Sequence, residues 1–253
     1  MIIEQTWRRY RDNWPVLLAA GVQAAALYEV LRLLSSLIGV PLADTPGRFS
    51  LGTAAVLALT VTIAMPLATG GLAYTALQVQ RGRSVTPAEI WPAARRNWRR
   101  LLRLSVTFVG IAALVGLLAI PLSLVPVPGL VVWGIGAGMI MVVLYGYGPL
   151  LVVGENLGAT EAVRKAFQVL SARFVDVFWT MLVLFLFATV LGLASSGLVR
   201  FGLVGHLLTL ALDATIMPGM YLYLAFRYQA NVAPYMGPGA REGAFHPDPP
   251  GGL

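Results

Sequence analysis

Six stretches of this chain are almost continuously apolar: residues 15–40, 51–79, 101–125, 129–153, 174–199 and 201–226. Each is long enough for a membrane-crossing α-helix, which needs about 20 residues to traverse roughly 30 Å of hydrocarbon. Basic segments precede the first, third and fifth stretches, and aromatic residues recur seven apart in them. These are Trp7/Trp14 in TWRRYRDNW, Trp91/Trp98 in IWPAARRNW and Phe167/Phe174 in FQVLSARF. A proline falls 59, 58 and 51 residues after the first aromatic of each pair, at Pro66, Pro149 and Pro218. The pattern predicts an all-α integral membrane domain over 1–229. It is read as three repeats (about 1–80, 81–155 and 156–229), each an amphipathic helix followed by a helix pair. Residues 230–253 hold five Pro and five Gly with few large apolar side chains, so a disordered tail is expected there.

The middle amphipathic helix has a start signal. Thr86 as N-cap, Pro87 at the first position and Glu89 at the third predict a capping box. Pro92 should kink this helix or delay its regular start. The third copy should begin near Thr160, after a turn at Glu155-Asn156-Leu157-Gly158, and carry Arg164 and Lys165. Such helices are expected in the headgroup layer, with Trp7, Trp14, Trp91 and Trp98 at the acyl boundary. Arg95, Arg96, Arg99 and Arg100, with Arg164 and Lys165, then face phosphates and form a surface for anionic lipid or a protein partner. The plainer reading of these charges is topology fixing and anchoring.

The even-numbered stretches carry Pro and Gly in matching places: MPLATGG at 65–71, YGYGPL at 145–150 and MPGM at 217–220. Proline in a membrane helix frees a carbonyl, which bundle neighbours can absorb. Gly134 and Gly138 form a G-x-x-x-G pair suited to close helix packing. Either broken helices around a substrate site or inherited packing geometry would produce this pattern.

The chain is 58% apolar and 11% charged, against about 25% charged in soluble domains, and because the six stretches occupy most of it no second folded domain is expected. Its net charge of +7 is not read as a nucleic-acid footprint. Fourteen of the eighteen basic residues fall in the N-terminus, the two long loops and the C-terminus. Arg48 and Arg200 are left in short turns, and Arg32 and Arg103 within spans. Positive loops resist translocation, so both termini are expected to be cytoplasmic, in a bacterial cytoplasmic membrane. The preference for Arg over Lys suggests a GC-rich bacterial genome. A cleaved signal peptide is rejected, because Trp7 and Trp14 belong to the repeat and the first apolar stretch continues for a whole span. The absence of cysteine excludes disulfides and thiolate sites.

Ionisable residues inside spans are candidate functional groups, since each costs about 2.5–3.5 kcal/mol at the bilayer centre. Four qualify: Glu29, Arg32, His206 and Asp213. At 1.5 Å per residue, Asp213, Glu29 and Arg32 lie roughly 18, 16 and 12 Å below the same end of the bundle. An Arg32–Asp213 or Arg32–Glu29 ion pair is therefore expected if the first and last spans are neighbours. His206, Thr209 and Asp213 share one helical face. That stripe reads as a proton relay, the lining of a polar cavity, or a clamp between the first and last repeats. Catalytic constellations find little support. Ser195 and Ser196 sit beside a turn without a G-x-S-x-G elbow, and no H-E-x-x-H, P-loop or G-x-G-x-x-G occurs. No enzyme, metal or cofactor is expected.

RGRSVTPAEIWPAARRNWRRLLRL (81–104) and PLLVVGENLGATEAVRKAFQVLSARFVDVFW (149–179) resemble a large group of bacterial and archaeal six-span proteins. That group includes the membrane domain fused to glycerophosphoryl diester phosphodiesterases. The resemblance implies a six-helix membrane fold but no hydrolase activity, because the phosphodiesterase domain has no counterpart here. Two functions follow as expectations. The first is a non-enzymatic membrane protein supporting lipid or envelope homeostasis, or scaffolding partners. The alternative is a small-molecule transporter or channel subunit with an intramembrane polar site.

Overall fold

An apolar run in lipid must satisfy its own backbone N–H and C=O groups, and the α-helix does so within one segment. The computed structural model describes residues 2–37, 56, 58–122 and 127–232, of which 32, 33, 35–37, 119–122, 127–132, 199 and 232 are described by backbone alone. Helix α1 (Ile2–Asp12) is followed by α2 (Trp14–Leu37). A π turn (Thr60–Ala64) leads into α3 (Met65–Gln80). Next come α4 (Pro87–Arg96), α5 (Trp98–Leu122) and α6 (Val127–Met141). A second π turn (Val142–Tyr147) joins α6 to α7 (Gly148–Gly154). Then follow α8 (Ala159–Ala172), α9 (Phe174–Leu198), a 3₁₀ turn (Val199–Phe201) and α10 (Gly202–Val232). The order short helix, long helix, long helix thus occurs three times.

Among the described residues, six segments are long and apolar enough to cross a membrane: Trp14–Leu31, Thr60–Gln80, Trp98–Leu118, Trp133–Gly154, Phe174–Leu198 and Gly202–Asn231, called spans 1 to 6. Their outward faces are greasy. Leu117, Phe185, Leu193 and Leu203 are 63%, 67%, 69% and 73% exposed, on a surface tenable only against lipid. The chain is an all-α, multi-pass membrane protein.

Two prolines explain the two π turns. Proline has no N–H and its ring clashes with the carbonyl four residues earlier, so the helix widens just ahead of Pro66 and Pro149. Pro218 lies inside the uninterrupted α10. In all three cases another part of the bundle meets the carbonyl that proline cannot bond. The Trp98 indole N–H donates to the Thr62 carbonyl at 3.1 Å, and the Tyr221 hydroxyl donates to that of Tyr145 at 3.5 Å. The Ala214 carbonyl faces Gly21 on span 1, so closely that a Cβ there would come within 1.9 Å of the oxygen.

Several expectations need correction. Helix α10 runs to Val232 rather than ending near Tyr228, because buried Asn231 hydrogen-bonds the Tyr147 hydroxyl at 3.3 Å. The rest of the expected tail, 233–253, lies outside the described residues. Thr86 does cap α4, but its hydroxyl donates to the Glu89 carboxylate at 2.9 Å instead of closing a box on the backbone. Pro92 does not delay α4, which starts at Pro87. The G-x-x-x-G pair does not close as one seam among the described residues: a Cβ at Gly138 would meet the Met181 sulfur at 2.8 Å, whereas none of them lies within 4 Å of one at Gly134.

The short helices do more than float at an interface. Helix α4 packs back along α3, burying Ile90 and Ala94 against the glycine pair Gly70/Gly71. Helix α1 reaches α10 through the Tyr10 hydroxyl, which donates to the Thr215 carbonyl at 2.8 Å. Burial raises the Tyr10 pKa, so the phenol stays a donor. The end of the bundle carrying these helices is called the basic face below.

Candidate functional site

A cavity of about 690 Å³ lies within the bundle, and all six spans contribute to its wall. Tyr28 comes from span 1, Thr69 from span 2, Phe108 from span 3, Tyr145 from span 4, Met181 from span 5 and Asp213 from span 6. Most of the lining is apolar, and Met141, Met181, Met217 and Met220 give it an adaptable surface of thioether side chains. On the span 5 side the wall includes Phe185, Ala188 and Gly192, which are exposed on the outside of the bundle. The cavity therefore opens sideways, toward what would be lipid.

The polar groups in this wall are few and placed. The Tyr28 and Tyr145 hydroxyls are 3.2 Å apart, and Tyr221 reaches the Tyr145 carbonyl, so spans 1, 4 and 6 converge on one tyrosine cluster. Asp213 and Ser195 add a carboxylate and a hydroxyl. An apolar chamber with a few convergent polar groups is the usual form of a ligand site. The sequence reading missed all three tyrosines. The available signal was Tyr145 standing four residues before Pro149, where a freed carbonyl is expected to recruit a donor.

The four intramembrane candidates separate into different surroundings. Glu29 is buried, and its carboxylate lies 2.5 Å from the His206 ring nitrogen Nδ1, joining span 1 to span 6. This partner differs from the expected Arg32; the Arg32 side chain lies outside the description, and both proposed Arg32 pairs with it. The expected contact between the first and last spans is present. The stripe on span 6 does not face a single environment: His206 meets Glu29, Thr209 is fully buried, and Asp213 lines the cavity. Among the described residues, neither the Thr209 hydroxyl nor the Gln23 amide nitrogen has a hydrogen-bond partner.

At the basic face, Trp7, Trp14 and Trp91 are exposed, as are Arg95, Arg96, Arg99 and Arg164. The other three residues assigned to that surface turn inward. Trp98 holds the Thr62 carbonyl, Arg100 hydrogen-bonds Asn156 through its backbone and side-chain oxygens, and Lys165 pairs with Glu155 at 2.9 Å. Glu155 is the hub the sequence did not announce: it also accepts from the Tyr228 hydroxyl, tying α8 and α10 to the end of α7. Asn156, with φ of 56°, makes the turn that presents it. Compared with protein-family models, with curated proteins and with solved structures, the chain finds no match in any of the three.

Proposed function

We propose that this protein is a non-enzymatic membrane module that binds a lipid-like amphiphile inside its six-helix bundle, in support of lipid or envelope homeostasis. The observation that carries the reading is the 690 Å³ cavity, apolar over most of its wall and opening beside Phe185, Ala188 and Gly192. Its volume falls within the roughly 300–1,000 Å³ of small-molecule sites. The tyrosine cluster and Asp213 supply hydrogen-bonding positions for one polar group, while the methionine-rich wall suits a chain. The distribution of basic residues supports a bacterial cytoplasmic membrane with both termini inside. Kinship with the membrane domain fused to glycerophosphoryl diester phosphodiesterases belongs to the same proposal and rests on 81–104 and 149–179.

The test is retention of the amphiphile. Protein extracted in a mild detergent is examined by native mass spectrometry, beside Ala188→Trp and Gly192→Phe, which fill the mouth from its exposed side. The expected result is a bound amphiphile on the wild type that both variants lose while keeping their melting temperature. A wild type that carries and accepts none, or filled variants that keep it, overturns the proposal. A second reading, a small-molecule carrier, is favoured only by Asp213 in the wall. It requires cysteines placed from 210 to 217 to react with a water-borne reagent, and protection along that whole stretch would eliminate it.

A further inference from the structure

A second cleft, also of about 690 Å³, lies at the basic face between α1, the end of α3 and the last turns of α10. Its wall holds three guanidinium groups, Arg8, Arg9 and Arg81, and one carboxylate, Asp12. Asp12 lies 3.6 Å from Arg11 and Arg8 pairs with Glu4 at 2.6 Å, so both have part of their charge answered on α1 itself. Gln80 and Gln229 hydrogen-bond to each other across the cleft, and Phe226 adds an apolar wall.

The arginines are held by the backbone around them. Arg81 is the C-cap of α3, and the chain turns there in a Schellman motif: Gly82 N–H bonds Val79 O at 3.0 Å and Arg83 N–H bonds Gln78 O at 3.0 Å. Gly82 has φ of 74°, which glycine tolerates best. Its missing side chain also leaves room for Arg9, whose guanidinium nitrogens lie 3.6 and 3.7 Å from where a Cβ would stand. The ends of α3 and α10 each present roughly half a negative charge. Arg8 answers Glu4 and Arg81 also lies near Glu155, so the attraction for an anion rests chiefly on Arg9 beside Gly82.

Guanidinium forks and amide N–H groups match the oxygens of a phosphate. The cleft is wider than a bare phosphate needs, and Phe226 gives an organic substituent something to pack on. We infer that this cleft binds the phosphate of a phosphoester, either a lipid headgroup from the adjoining leaflet or a soluble phosphate ester. It shares no residue with the cavity between the spans and does not depend on that site's ligand.

Two arms separate the sources. In phosphate-free maltoside micelles, glycerol 3-phosphate and inorganic phosphate are titrated calorimetrically. In parallel micelles, phosphatidylglycerol retention is compared with diacylglycerol by native mass spectrometry. Saturable binding is expected in at least one arm, weakened about tenfold by Arg9→Gln and little changed by Arg95→Gln/Arg99→Gln. Arg9 is exposed, so its variant should fold even if Arg9→Gln/Arg81→Gln does not. Binding in the first arm assigns a soluble ester, and binding in the second a headgroup. Saturation in neither arm, full affinity in Arg9→Gln, or an equal loss in the control overturns the inference.

Discussion

The seam between spans 1 and 6 and the seam between spans 4 and 5 are built from similar residues and behave oppositely. In the first, Gly21 lets span 1 settle against the Ala214 carbonyl and the Pro218 ring, Tyr10 caps the Thr215 carbonyl, and Glu29 meets His206. The second closes around Gly138 and Met181 and, nearer the basic face, where Thr180 meets Tyr147. Farther from the basic face, Gly134, Gly136, Gly192 and Gly197 have nothing among the described residues within 4 Å of where a Cβ would stand. Glycine permits close approach but does not compel it. Helices close where a freed carbonyl or a buried polar group finds its partner across the seam, and part where both faces are merely apolar and lipid serves as well as a neighbour.

Breaking the closed seam should have the largest effect. Gly21→Leu places side-chain atoms inside the Ala214 carbonyl, and loss of monodisperse folded protein after extraction is expected. Gly134→Ala and Gly192→Ala, made in the open seam, should change unfolding free energy in mixed micelles by no more than about 0.5 kcal/mol. If the two sets of variants behave alike, the contrast between the seams is wrong. A smaller loss is expected from the Glu29–His206 contact. A double-mutant cycle over Glu29→Gln and His206→Ala should give a coupling of about 1 kcal/mol, near the upper range of polar contacts between membrane helices.

The carbonyl caps come next. Trp98→Phe keeps the ring but removes the N–H to Thr62, and should cost about 1 kcal/mol in the same unfolding assay. Tyr221→Phe loses a 3.5 Å contact at the limit of hydrogen-bond geometry, so a cost under about 0.5 kcal/mol is expected. A larger loss at Tyr221 than at Trp98 would reverse the ranking. It would also mean that the tyrosine cluster holds the bundle together rather than serving the cavity.

Legibility tracked the range of the physics involved. The spans were readable because an apolar run of sufficient length has few alternatives in a bilayer. Most predicted limits on described residues fall within a few residues of the helix ends, and the sixth helix runs six residues farther. The limits at 40, 51 and 125 lie outside the described residues. The neighbouring of spans 1 and 6 was inferable from matched depths, and the expected Arg32 pairs lie outside the described residues. The Glu29–His206 contact was not foreseen, because it depends on helix rotation, which span length does not constrain. Asp213 was singled out for its charge alone, while Tyr28, Tyr145 and Tyr221 drew no notice because tyrosine costs little in a membrane helix. Glu155 looked like a turn residue, since its neighbours come from three separate places: Arg81 at the end of α3, Lys165 on α8 and Tyr228 on α10.

By itself the sequence determined that this chain makes helices, how many of them are long and apolar enough for a bilayer, and where proline would interrupt them. Those properties depend on side-chain hydrophobicity and on hydrogen bonds no more than five residues apart. Tertiary structure decided what met each interruption: Trp98 at Thr62, Tyr221 at Tyr145 and Gly21 at Ala214. It also decided which glycines closed a seam and which opened a cavity. A freed carbonyl states a need in the sequence, but only the rotation and tilt of packed helices select the group that fills it.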